Sequence, residues 1–153
     1  MSLGRCQACQ PGAVDPHPPL LALIVTTALH LGFQLVVTVL VYPALADVPE
    51  TSWRQHHDRH SRRITPLVVV VYGSLALACG WVLGSGPTVT EVIAVGACAM
   101  AGGLTAVVAA PAHGRLARRH DPAALRKLLR ADQLRLVAAV VALACAVSAT
   151  VRS

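Results

Sequence analysis

Three histidines lie close together in a short basic stretch, and their spacing allows two imidazoles to bind one metal ion. His56 and His60 are four residues apart, and His57 and His60 are three apart. On a helix, either spacing places both rings on one face, as in helical zinc sites. A histidine tract beside arginines is also typical of a solvated loop, so the pattern leaves metal binding and plain solvation both open.

A second set of polar residues lies inside a long apolar run and follows the period of a helix. Thr27, His30, Gln34 and Thr38 are separated by steps of three, four and four, and Tyr42 continues the row. Ionisable side chains inside a bilayer are costly and usually face the interior of a bundle. His30 and Gln34 are therefore candidates for a functional site. The alternative is interhelical hydrogen bonding that only fixes the register.

Asp132 and Arg135 stand three residues apart at the start of the last apolar run. They either pair with each other or hold a ligand. With a rise of about 1.5 Å per residue and tight turns near Val48 and His120, His60 and Asp132 lie at the level of Gln34. We therefore expect side chains of both hairpins to line one cavity. If the helix breaks at its prolines, the histidines lie on the membrane surface instead. The expected lining comprises His30, Gln34, His56 or His57, His60 and Asp132.

The chain is too apolar and too poor in charge for an ordinary soluble domain. Of its 153 residues, 55% are hydrophobic and 13% are charged, whereas about a quarter is charged in soluble proteins. Four runs have the length that a membrane-spanning helix needs. They cover residues 20–41, 64–83, 89–110 and 134–151, and the last extends backward through Asp132. The predicted fold is all-α, an antiparallel four-helix membrane bundle over residues 19–153, made of two helical hairpins and preceded by a flexible tail over 1–18.

The positions of the basic residues predict the orientation in the membrane. Eleven of the thirteen Lys and Arg residues lie in two stretches, Arg54 to Arg63 and Arg115 to Arg135, and the tails hold only Arg5 and Arg152. Short cytoplasmic loops are enriched in Lys and Arg. We expect a multi-pass protein of the cell membrane with both termini outside the cytoplasm. The same loops account for the net charge of +6, so nucleic-acid binding is not needed to explain it. Five aromatic residues in total are also too few to form a surface on which bases stack.

Local signals place the helix ends and contacts. Asp47 and Asp121, each followed closely by a proline, are expected N-caps. Small residues at positions 73, 76 and 80, and at 96, 99 and 103, are expected to let helix backbones approach closely. Cys6 and Cys9 form a CxxC in the tail, which without a second such pair leaves a redox or metal role open.

Several of these residues together resemble a known family. Phe33-Gln34, Tyr42-Pro43-Ala44-Leu45, and Trp53 followed by His56-His57 and His60 are similar to the small four-helix membrane proteins grouped with anthrone-oxygenase-like sequences. In that family a polar residue and an arginine enter the last helix; here they match Asp132 and Arg135, with Asp where Asn is expected. The resemblance implies oxidation of a lipophilic small molecule, with metal assistance as one route.

Three functions are consistent with these patterns. The first is a membrane oxidoreductase in which His30, His56, His57 and His60 supply ligands to Fe, Cu or Zn, while Asp132, Arg135 and Gln34 serve catalysis. The second is a non-catalytic accessory or scaffold protein, and the third is a small transporter, for which Glu91 and Asp132 are the carboxylates near the membrane. The expected partners are the lipid bilayer, a lipophilic small molecule and, as an open alternative, further copies of the chain.

Overall fold

Four long helices form the part of the chain that the structure, a computed structural model, describes, residues 17–151. They are α1 (Pro18–Ala46), α2 (Glu50–Gly84), α3 (Val89–Leu116) and α4 (Pro122–Ala149), each long and apolar enough to cross a membrane. The all-α, four-helix membrane fold is therefore confirmed, and every helix is longer than its apolar run at the end where the basic connectors lie. The tail with Cys6 and Cys9 falls outside the described residues.

Two of the four helices begin at a side-chain cap. The Asp121 carboxylate accepts hydrogen bonds from the amides of Ala123 and Ala124, as an N-cap does. These amides, Ala124 first, lower the pKa of Asp121. Thr88 and Glu91 form a reciprocal capping box. The prediction for Asp47 is wrong: Asp47 ends α1, and α2 begins with a 3₁₀ turn over Glu50–Ser52 after Pro49.

Both α1 and α3 widen into a π-helical turn two residues before a proline. The turns cover Val37–Val41, before Pro43, and Thr105–Ala109, before Pro111. A proline lacks the N–H of a helical hydrogen bond, and its ring collides with the preceding turn. The wider turn relieves that collision, with i→i−5 hydrogen bonds from Tyr42 to Val37 and from Ala110 to Thr105. These turns are found where the polar side chains of the bundle converge.

The helices pack in the cyclic order α1, α2, α3, α4, and the side between α2 and α3 is the loosest. Beyond Arg135, every buried residue of α4 is an alanine, which allows α4 to lie close to α1 and α3. The expectation for the glycines was wrong. Gly73, Gly80, Gly96 and Gly103 are exposed, and a Cβ at any of them would meet nothing within 4 Å.

The start of α2 is fixed to the end of α3 by one indole. Trp53 is 2% exposed, and its Nε1–H donates to the Leu116 carbonyl at 2.8 Å. It packs in a cluster with Leu45, Leu116 and Leu128, which are contributed by the three other helices. This cluster closes the end of the bundle that carries the basic connectors, which we call the basic end.

We expect Trp53→Phe to lower the free energy of unfolding by about 1–3 kcal/mol, because a buried carbonyl loses its donor. Trp81→Phe is the matched control, since Trp81 is 54% exposed on the outer surface, and it should change stability by less than about 0.5 kcal/mol. Reversible unfolding in detergent micelles measures both. Equal effects of the two substitutions would contradict the anchoring role of Trp53.

Candidate functional site

A buried ion pair joins Asp132 and Arg135, one turn apart on α4. The Arg135 Nη2 lies 2.8 Å from Asp132 Oδ1, and the residues are 6% and 1% exposed. The carboxamide of Gln34 and the hydroxyl of Thr38, both on α1, also donate to the Asp132 carboxylate. The pairing predicted from the sequence is present, and the stripe of α1 does face the interior, since Thr27, His30 and Gln34 are 0% exposed.

Arg135 also donates to hydroxyl groups on two other helices. One N–H reaches the Tyr42 hydroxyl on α1 at 3.2 Å, and another reaches the Thr105 hydroxyl on α3 at 3.3 Å. Thr105 in turn contacts the Tyr72 hydroxyl on α2 at 3.0 Å, and Tyr72 is hydrogen-bonded to His30 at 3.2 Å. One guanidinium thus connects side chains of all four helices.

The histidines form a separate group nearer the basic end. His113 Nε2 lies 3.4 Å from the Tyr42 hydroxyl, and its Nδ1 lies 3.4 Å from His57 Nε2. The His60 ring packs against His113 with centroids 6.1 Å apart, while His57, 1% exposed, stacks on Trp53. An imidazole held between a phenol and a second imidazole is suited to accept a proton on one side and release it on the other.

The four predicted metal ligands are not gathered around one point. His30 bonds to Tyr72 at mid-bundle, and His56 is exposed with its Nδ1 on the Ser52 carbonyl. His57 and His60 remain near each other through His113. Among residues 17–151, no group of three or more His, Cys, Asp or Glu side chains is arranged to hold a metal ion. The fold thus brings together only two of the four predicted ligands, and metal binding stays a prediction.

Gln34, Tyr42, His113 and Arg135 line a cavity of about 290 Å³ that all four helices border, with most of its lining on α2 and α3, and which we call the polar cavity. A second, almost wholly apolar cavity of about 690 Å³ continues from it along the same two helices. The two share Val68, Val69, Thr105 and Ala110 in their walls. Positions 76, 80, 99 and 102 carry Ala or Gly and line the apolar cavity, so these small residues keep the gap open instead of closing it.

Two buried polar atoms of the polar cavity's lining have no partner among the described residues. They are Oε1 of Gln34 and Nε of Arg135. Buried polar groups are nearly always hydrogen-bonded, so each unpaired one calls for an explanation. Contacts with Asp132 fix both side chains, and in that orientation these two atoms are left without a partner among the described residues.

Sequence reasoning located part of this site. Gln34, His60 and Arg135 do line one cavity. Asp132 is bonded to two of them, and His57 approaches the cavity through His113. His30 reaches them only through Tyr72 and Thr105, and His56 lies outside. Tyr72, Thr105 and the role of His113 were missed. Their signal was weak but present: each is a lone polar residue in or beside an otherwise apolar run, where a polar group needs an interior partner.

We expect Asp132→Ala to lower the free energy of unfolding by about 3–5 kcal/mol, because it leaves the Arg135 charge buried and unpaired. Glu50→Ala, at an exposed carboxylate of α2, should cost less than about 0.5 kcal/mol. Unfolding in mixed micelles at constant pH measures both variants. Stability of Asp132→Ala within error of Glu50→Ala would show that the pair is solvated and not buried.

Comparisons with known proteins give the site no relative. No family model matches the chain, and no curated protein or solved structure is significantly similar to it. The resemblance to the anthrone-oxygenase-like proteins therefore stays a prediction from a few short motifs. The bundle itself is that of an integral membrane protein with four candidate spans, and its geometry is the basis for assigning a function.

Proposed function

We propose that this membrane protein is an oxidoreductase that acts on a lipophilic small molecule taken from the bilayer through the gap between α2 and α3. One observation carries the proposal: a buried arginine, a tyrosine and a histidine meet in a cavity whose continuation is almost wholly apolar. Ligand sites are typically apolar hollows of this size with a few convergent polar groups. The polar cavity receives the head of the molecule, and the apolar cavity receives the rest.

Lateral entry is supported by the composition of the rim. Val69 is 65% exposed and Leu83 is 52% exposed, and both border the apolar cavity from α2. The opening lies on the side where the bundle is least tightly packed. A molecule dissolved in the hydrocarbon therefore meets an apolar entrance, without crossing the polar surface at either end.

The chemistry at the inner end is acid–base chemistry assisted by a fixed positive charge. Arg135 stabilises negative charge that develops on an oxygen of the substrate, with the Tyr42 hydroxyl beside it. His113 accepts the proton that the substrate loses and passes it toward His57. The resulting anion is the electron-rich form of the substrate. Its oxidation, which the family resemblance implies, needs an external electron acceptor, for which we take dioxygen.

The orientation in the membrane and the bound metal, both predicted from the sequence, also belong to the proposal. The basic end faces the cytoplasm if the distribution of Lys and Arg decides the orientation, which places both termini outside. Site-specific labelling of a cysteine added near Arg118 in intact cells tests this orientation.

A bound Fe, Cu or Zn is tested by metal analysis of the purified protein. Absence of metal from active protein would remove the metal from the mechanism.

The route through the bilayer is tested by filling the apolar cavity. Gly102 lines it and a Cβ there meets nothing within 4 Å, whereas Gly96 lies on the same helix outside the cavity. We expect Gly102→Leu to lower turnover about tenfold or more, because a leucine takes the space of the substrate, and Gly96→Leu to leave it unchanged. Consumption of lipophilic hydroxy and carbonyl compounds by proteoliposomes measures both.

The proton-transfer step has its own variant. We expect His113→Gln, which keeps a hydrogen-bonding side chain but no titratable one, to lower kcat by about 10²-fold or more. The KM should change little, because binding by Arg135 is retained. Steady-state kinetics in proteoliposomes separates the two constants. Undiminished turnover in His113→Gln would contradict the mechanism. If the wild type turns over none of the compounds, the alternative function, a non-catalytic accessory or scaffold protein, is favoured.

A further inference from the structure

A groove lined by basic residues lies beside the polar cavity, on the outer surface of the basic end. It has a volume of about 290 Å³ and is bordered by Val41 of α1 and by residues 56–67 of α2. We call it the basic groove. Its lining consists of Val41, His56, Arg59, His60, Arg63, Ile64 and Leu67.

The basic side chains of the groove share one helical face. His56, Arg59, His60 and Arg63 follow the i, i+3, i+4, i+7 pattern of one side of a helix. The other arginines of this segment, Arg54 and Arg62, are exposed but do not line the groove. The orientation of the protein in the membrane requires basic residues near this end, but it does not require them to line a groove.

No acidic side chain neutralises this face. The ion pairs found between residues 17 and 151 use Glu91, Asp121 and Asp132, and none of them involves Arg59 or Arg63. Both guanidinium groups therefore keep their full hydrogen-bonding capacity for an anion. Two guanidinium groups one turn apart suit a phosphate, whose oxygens accept bidentate hydrogen bonds.

The part of the α2 wall that follows Arg63 is apolar and continues into the membrane. Ile64 and Leu67 follow Arg63 along α2, and Leu67, Val69 and Val70 are each more than half exposed. The segment from Ile64 to Gly84 rises about 30 Å at 1.5 Å per residue, which matches the hydrocarbon core of a bilayer. Arg63 therefore lies at the boundary between head groups and acyl chains.

We propose that the basic groove binds an anionic phospholipid, with its phosphate on Arg59 and Arg63 and an acyl chain along Ile64 and Leu67. Basic pockets beside membrane helices are suited to such head groups. His60 and Ile64 line both the groove and the polar cavity, so the bound lipid forms part of the surroundings of that cavity. The site stands whether or not the protein is an enzyme.

The test is native mass spectrometry of the full chain in detergent with added phosphatidylglycerol, phosphatidylcholine or inorganic phosphate. We expect the wild type to retain phosphatidylglycerol about tenfold more than phosphatidylcholine. The double variant Arg59→Gln/Arg63→Gln should lose this preference, while Arg54→Gln/Arg62→Gln, which removes the same charge from the same helix, should keep it.

Three results would overturn the proposal. Equal loss in the two double variants would show a general attraction of charge and no built site. Equal retention of phosphatidylglycerol and phosphatidylcholine would show that the groove does not select an anionic head group. Displacement of the lipid by inorganic phosphate at equal concentration would show that the apolar wall contributes nothing. All four substituted arginines are exposed, so the variants keep the fold.

Discussion

The burial of the Asp132–Arg135 ion pair is the constraint on which the rest of the interior depends. Two charges cannot remain in a low-dielectric interior without further hydrogen bonds. The bundle supplies them from Gln34 and Thr38 to the carboxylate, and through Tyr42 and Thr105 to the guanidinium. Tyr42 directly follows one π-helical turn and Thr105 begins the other, so the two prolines that widen these helices act close to the contacts of the arginine.

The packing of α4 explains why the bundle is open on one side. Its alanines draw α1 and α3 close to it, while α2 packs less closely on α3 and is joined to it by Trp53 at the basic end, by the Tyr72–Thr105 hydrogen bond and by the packing of Leu75 with Cys98. Between these points, small residues on both helices leave the apolar cavity. The polar side chains can thus be reached from the lipid side, as the proposed lipophilic substrate with a polar head requires.

Much of this arrangement could be predicted from the sequence, because hydrophobic length and helical spacing are strong signals. The four spans and the inward stripe from Thr27 to Gln34 follow from them. The rest depends on features without a local signature. Each π-helical turn rotates the residues that follow it by part of a helical turn, which changes the residues that face the interior. On α2, His57 and not His56 faces the interior, where it stacks on Trp53. The glycines were misassigned because small residues permit close packing but do not produce it.

We propose that the buried ion pair serves to bind a molecule and is not needed to hold the fold. Replacing both charges, in Asp132→Leu/Arg135→Met, tests it most directly, because a well-packed apolar pair in place of a buried ion pair is often as stable as the original. We expect the free energy of unfolding of this double variant to lie within about 1 kcal/mol of the wild-type value, or above it. We also expect the variant neither to bind lipophilic compounds nor to convert them. A double variant that is strongly destabilised, or that retains binding, would contradict it.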